Sequence, residues 1–410
     1  MRKTCVVLCI LVLFICSSGL LLGSGIDNKT NWSTGYIRTL NRNAVYDNPD
    51  AVVYNPAGVV KLDPGFNIGV HNQFVFKEYS HTLSTPPGTS YSASNPTWLL
   101  PSAFLTYNFE RWAVYGAFYI SGGGGKLDYK DGIADINEAA GAGLAFFNPS
   151  FIAKSLYYTG AAGGVFAIND MFSIAASGKI VYGLQEVDSV TETPVPPLGN
   201  TTDILHLKET ATGFGGVFGL NIAIPAMETN IGIRYETKVK LDWEMKESGT
   251  GALDPAYGSV GDKRRQDLPA MLALGASFKP FTGFKTEASF NYYFNKSANW
   301  DGLEDYVQNG WEAGIMAEYA FIPELLGSFG VLYANPGADQ DSYIYLNPAL
   351  KSFSVGGGVL WHVKPAIALE LGVLKPFYFD DDGYSQPPAS IPVSLSKSVW
   401  IVAIGASFHI

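Results

Sequence analysis

Five histidines, His71, His81, His206, His362 and His409, are the obvious candidates for chemistry, and none stands at the spacing of a metal site or a catalytic triad. There is no G-x-S-x-G elbow, so an acyl hydrolase would have to assemble its nucleophile and base from distant residues. Asp380-Asp381-Asp382-Gly383 supplies carboxylates without the full ligand spacing of a calcium loop and reads as a solvated turn. Gly122 to Gly125 followed by Lys126 invites comparison with a phosphate loop, but Leu127 stands where Ser or Thr must follow the lysine. Cys5, Cys9 and Cys16 all lie in the first 25 residues, leaving the rest without disulfide, thiolate metal ligand or thiol nucleophile. The expectation is a non-enzyme with no catalytic residue, metal or cofactor.

The chain does offer cations and apolar residues at strand spacing. From Asn230 to Trp243 one face reads Ile231, Ile233, Tyr235, Thr237, Val239, Leu241, Trp243, and the other carries Arg234, Glu236, Lys238, Lys240 and Asp242. Residues at i and i+2 share a strand face, so the segment is apolar on one side and charged on the other. A soluble sandwich would present that charged face to bulk water. The run, however, exceeds the ~9 to 11 residues of a tilted membrane strand, and Tyr235 and Trp243 sit where an interface girdle places rings. Similar alternation recurs at Phe353 to Trp361, at Ile367 to Val373, and from Trp400 through Phe408 to Ile410.

Residues 1–25 read as a secretory signal: Arg2 and Lys3, an apolar run from Cys5 to Leu22, then Gly23-Ser24-Gly25. The apolar run is long for a signal, which keeps an uncleaved anchor as the alternative; Ile15 before Cys16 argues against a lipobox. A net charge of -10 argues against nucleic acid as partner. Fourteen alternating segments follow, at 66-79, 98-109, 111-121, 156-168, 171-184, 210-225, 227-243, 267-280, 283-296, 309-321, 325-335, 351-363, 365-376 and 397-410. Long connections, such as 122-155 and 185-209, alternate with tight ones near Glu110, Asn169 and Lys364. Even strand number and loop asymmetry predict an all-β, transmembrane antiparallel barrel over 66-410 with both ends periplasmic.

Residues 26–65 are left over, Asn-rich and punctuated by Gly and Pro, either a tail or a plug for a lumen too wide for side chains to fill. Here AVYDNPDAVVYNPAGVVKL, with Asn55, Pro56, Ala57 and Gly58 at its centre and Arg38 and Arg42 upstream, resembles the N-terminal hatch of the FadL/TodX family. DLPAMLALGASFKP from Asp267 and LNPALKSFSVGGGV from Leu346 extend the resemblance.

The resemblance implies uptake of long-chain fatty acids or aromatic hydrocarbons across the outer membrane of a Gram-negative-type bacterium. A hydrophobic small molecule is gathered among outer loops, passes beside the hatch and leaves sideways where the third strand kinks. Gly122, Gly123, Gly124 and Gly125 are the portal candidates, against the alternative of a flexible loop start. Arg234, Lys238 and Lys240 are the candidate lumen contacts for a carboxylate, though polar interiors are general in wide barrels. Phe146, Phe147, Phe151, Tyr157 and Tyr158 read as an apolar collecting surface, girdle or loop packing. Outer-membrane lipid, lipopolysaccharide and the barrel-assembly machinery are the expected partners. An adhesin-like structural barrel and a general porin are the competing classes.

Overall fold

The structure, a computed structural model, describes residues 33–84, 88–133, 147–195, 199–248, 259–343, 346–384 and 392–410. The signal segment 1–25, the start of the hatch, and Phe146 lie outside the described residues. Fourteen antiparallel strands form a closed barrel. They are β1 (Gly65–Leu83), β2 (Ser90–Ser94 continued by Thr97–Asn108), β3 (Trp112–Tyr129), β4 (Phe147–Ala167), β5 (Phe172–Val195), β6 (Gly199–Ile224) and β7 (Thr229–Glu236, then Asp242–Ser248). The wall continues through β8 (Lys263–Arg265, then Met271–Phe281), β9 (Phe284–Tyr293), β10 (Gly310–Ile322), β11 (Leu325–Asn335), β12 (Ser352–Lys364), β13 (Ile367–Tyr378, with Asp381–Tyr384 beyond it) and β14 (Pro392–His409). The barrel closes where β1 pairs with β14 from Asn67↔His409 to Leu83↔Val393.

Alternation sorts side chains between the two faces. Exposed rings ring the wall at two levels: Phe109, Trp112, Phe166, Phe321 and Trp361 near the tight turns, and Trp98, Phe353, Phe377 and Trp400 towards the long loops. Two such girdles flanking an apolar band are the signature of a barrel standing in a bilayer.

Two expectations are corrected. β4, β5 and β6 run far past their predicted ends, so much of 122-155 and 185-209 is paired strand, with β5 and β6 in register out to Val195↔Gly199. Polar residues are interspersed with β-formers there (Val187, Asp188, Ser189, Val190), a composition that a hairpin standing in water satisfies as well as a loop does. The second correction concerns β7. It pairs with β6 at Val217↔Glu236 and again at Thr210↔Glu244, so residues 237–243 lie opposite the shorter stretch 211–216. The extra residue inverts the strand's parity. Val239, Leu241 and Trp243 consequently turn inside, into a buried cluster with Tyr157, Val181 and Ala211, while Lys240 and Asp242 are exposed. Gly183 and Gly213 make the room: a Cβ on either would run into Trp243 or Val239. β8 breaks beside this step at Pro269, which has no N–H for the ladder.

Inside the barrel lies the hatch: helix α1 (Thr34–Thr39), helix α2 (Ala51–Tyr54) and a 3-10 turn (Pro56–Lys61). The Ser33 side chain caps α1 by accepting from Tyr36 N, and Leu40 ends it in the left-handed region. Tyr36 and Tyr54 stack at 5.5 Å and join the two helices.

Candidate functional site

The hatch is held by buried polar bonds. Arg42 grips Asp50 with two prongs, Nε to Oδ2 at 3.1 Å and Nη2 to Oδ1 at 2.6 Å, and the Ser33 hydroxyl donates to the same carboxylate. This pair folds the hatch on itself. Arg38 instead binds the wall, donating to Glu318 of β10, to Glu370 of β13 at 2.9 Å and to Ser328 of β11 at 2.9 Å. Burial opposes both positive charges, but the neighbouring carboxylates outweigh it and hold both guanidinium pKa values above their ordinary value. Arg38 thus clamps the hatch to the wall, and Arg42 clamps it to itself.

Asparagines complete the docking. Asn43 Nδ2 donates to Leu274 O and to Asn291 Oδ1, and Asn230 Nδ2 donates to Ala44 O at 2.9 Å. Asn55 Nδ2 donates to Val45 O at 2.9 Å and to Asn221 Oδ1 at 2.7 Å, Pro56 opens the 3-10 turn, and Ala57 O accepts from Ser173. Gly58 is required by space, since a Cβ there would lie 2.6 Å from Val45 O.

The wall meets the hatch backbone through glycine. Cβ atoms on Gly330, Gly356, Gly232 and Gly314 would strike, respectively, Thr39 O, Ile37 O, Asn43 O and the Asn41 side chain. Four strands thus leave out lumen side chains at the hatch's level, three of them so that backbone can approach hatch backbone and the fourth to admit Asn41.

Beside the hatch, Arg234 is 4% exposed and its Nε faces Glu236 at 3.2 Å. Lys179 bonds Glu236 from the other side, so two cations share one carboxylate. The Arg234 Nη1 has no hydrogen-bond acceptor among the described residues. The other two expected lumen cations are placed elsewhere. Lys238 donates to Ser297 O at 2.7 Å, and exposed Lys240 stands apart from the lumen cluster because of the β7 parity step.

The glycine run lies within β3 rather than at its end. Gly123 and Gly125 have φ of +82° and +74°, and the register with β4 shifts on both sides of Gly122. On the other edge, β3 pairs with β2 from Asn108↔Ala113 to Ser102↔Tyr119, and then not again until Ala93↔Tyr129. Pro96 and Pro101, both without N–H, stand along the unpaired part of β2. The wall is therefore interrupted between β2 and β3, with Leu100 and Ile120 flanking the interruption. Asn95 Nδ2 donates to Lys126 O at 2.6 Å at its outer limit, and Lys77 of β1 donates to Gly124 O behind it.

No family model matches the sequence, and no curated protein matches it. Solved structures do. A Pseudomonas aeruginosa FadL homologue aligns over 93% of this chain and 99% of its own, at 15% identity and TM-score 0.68. The fold is that of the FadL/TodX barrels. The Ralstonia pickettii toluene transporter TbuX aligns over 93% and 98% at 15% identity and TM-score 0.64, and the Pseudomonas putida toluene transporter TodX over 94% and 100% at 14% and 0.65. In this FadL/TodX-type barrel, Asp267 to Pro280 marks the step in β8 and Leu346 to Val359 carries the hatch-facing Gly356.

Of the residues read as collecting surface, girdle or loop packing, Phe151 and Tyr157 are buried, Tyr157 against Trp243 at 5.4 Å. Sequence reasoning missed Glu318, Glu370 and Lys285, the wall's side of the hatch clamps, and Lys77. Their inward parity was legible in the alternation, but no local pattern ties Glu318, Glu370 and Lys285 to hatch residues 238 to 332 positions away, or Lys77 to Gly124, 47 positions away.

Proposed function

We propose that this chain is an outer-membrane channel for passive uptake of hydrophobic compounds, which enter among the outer loops, bind beside the hatch and leave sideways between β2 and β3. Both chain ends and the tight turns then face the periplasm, lipopolysaccharide and phospholipid surround the girdled wall, and the barrel-assembly machinery inserts it. The observation that carries the reading is the pairing of a filled axis with an interrupted wall. The hatch occupies the straight route, and the β2–β3 ladder is unpaired between Ser102↔Tyr119 and Ala93↔Tyr129. A solute that prefers hydrocarbon to water gains from a route ending in the membrane, where its desolvation barrier is lowest.

Arg234 favours a long-chain fatty acid as cargo. A buried guanidinium with an unanswered N–H beside an over-subscribed carboxylate suits a ligand carboxylate, whose charge-assisted bond is stronger than a neutral one.

The lateral exit can be barred reversibly. A Cβ on Gly125 would lie 3.4 Å from the Thr97 Cβ, close to the ~3.5–4.5 Å of a disulfide. The double substitution Thr97→Cys and Gly125→Cys should cross-link β2 to β3 in a chain whose other cysteines lie only in the signal segment. Uptake of labelled fatty acid by cells is expected to fall on oxidation and return on reduction. Unchanged uptake in fully cross-linked protein would overturn the lateral exit.

A further inference from the structure

Bulges leave a backbone group off the ladder, and a group off the ladder inside a membrane protein needs another partner. In β3 that group is the Gly124 carbonyl. The pairing with β4 passes from Gly122↔Tyr157 to Gly125↔Ser155 without it, and no residue of β2 is paired with it in the ladder on the other edge. The two flanking residues fix its direction: Gly123 and Gly125 both have positive φ, and a Cβ at Gly123 would strike the Ser155 carbonyl.

The partner comes from the next strand but one. Lys77 lies on the lumen face of β1, opposite Val399 of β14, and is 5% exposed. Its Nζ donates to Gly124 O. To reach it the side chain passes behind β2 where that strand is broken at 95–96, between Ser90–Ser94 and Thr97–Asn108. Lysine chemistry fits this reach, because a long apolar stem spans one strand width and the ammonium gives the carbonyl a charge-assisted bond.

We propose that Lys77 is a positioning residue for the lateral opening: its ammonium holds the Gly124 carbonyl on the lumen side and so keeps β3 from zipping onto β2. The inference rests on the lateral-exit reading and adds to it the device that keeps the exit formed. Without the ammonium, the carbonyl turns to backbone donors of the adjacent β2, and pairing with them closes the wall.

The test compares full-length wild-type protein with Lys77→Met and Lys77→Arg in three measurements: fatty-acid uptake by cells, fatty-acid binding by purified protein, and amide exchange in 97–100. For Lys77→Met, uptake should fall about tenfold with binding and heat-resistant barrel mobility unchanged, and exchange in 97–100 should slow; Lys77→Arg should restore most of the uptake. Uptake within about twofold of wild type in Lys77→Met would overturn the proposal. So would a parallel loss of binding and barrel stability, which would make Lys77 an ordinary packing residue. The Thr97→Cys, Gly125→Cys cross-link separates the two readings. If the oxidised bar blocks uptake and Lys77→Met does not, only the role of Lys77 falls; if the bar itself has no effect, the lateral exit falls with it.

Discussion

Arg38 Nε meets Glu370 Oε2 at 2.9 Å, an ion pair between the hatch and the thirteenth strand in which both side chains are buried. Glu318 shares the same guanidinium, so one cation is paired with two carboxylates, from strands β10 and β13.

Substituting Arg38→Gln should therefore leave two buried carboxylates facing one another. Breaking a buried pair by removing one partner costs about 3–5 kcal/mol, more than one docked segment can absorb without moving. Planar-bilayer recording should find the wild-type barrel closed to ions and the variant conducting. A silent variant would show that the remaining docking bonds hold the hatch alone.

The glycine seat makes a sharper pair of expectations. Gly330→Val places a side chain into the Thr39 carbonyl and should undock the hatch, reproducing the Arg38→Gln conductance. Gly357→Val adds a side chain on the lipid face, where the nearest atom to its Cβ is Ser328 O at an ordinary 3.4 Å. It should stay within about 0.5 kcal/mol of wild type in thermal unfolding. Equal behaviour of the two variants would contradict the assignment of faces.

Acid should loosen the hatch in one window. Burial would raise the Asp47 carboxyl, but Lys285, at 2.8 Å, and Arg42 overcome this and hold it well below the usual carboxylate range. A depressed folded pKa gives stability that is present above the unfolded value of about 4 and lost as pH falls through the folded one. The Asp47 side chain is 40% exposed on the wall of a cavity of about 350 Å³ near the tight turns, so water screens the pair and the effect is small. Protease protection of the hatch should differ between wild type and Asp47→Asn at pH 5 to 8, and the difference should vanish in strong acid. A difference that grew on acidification would have the wrong sign.

Cargo preference should move with Arg234. Arg234→Met removes the carboxylate partner and keeps the apolar stem, so fatty-acid binding by purified protein should weaken about tenfold or more, the worth of a charge-assisted hydrogen bond. Toluene binding should be unaffected. Parallel loss of both would mean that Arg234 shapes the pocket rather than recognising a charge.

Much of this was legible in the sequence, because a barrel strand must alternate and a tight turn must punctuate. Ile367 to Val373 and Trp400 to Ile410 were readable as lipid faces from period alone, and Asn55 to Gly58 as hatch from its resemblance. Parity failed where one extra residue entered: nothing in Lys238 to Trp243 announces that Val239 and Trp243 turn inward, because the alternation reads equally well on either side of the step. Glycine was only half readable. The run at 122–125 signalled a bend, but that Gly330 and Gly356 face hatch backbone depends on register across strands. That Arg38 clamps the hatch to the wall was not readable either, because its partners, Glu318 and Glu370, lie 280 and 332 residues downstream.

That distance has a thermodynamic consequence. The bonds that dock the hatch come from β6 through Asn221, from β8 and β9 through Leu274 and Asn291, and from β10 and β13 through Arg38, whereas a partly made sheet offers only one arc of them. Docking energy is released in full only when the wall has curved round on itself, so the plug rewards the cylinder and the cylinder rewards the plug. Barrel and hatch should then melt as one cooperative unit rather than as a domain with a tail.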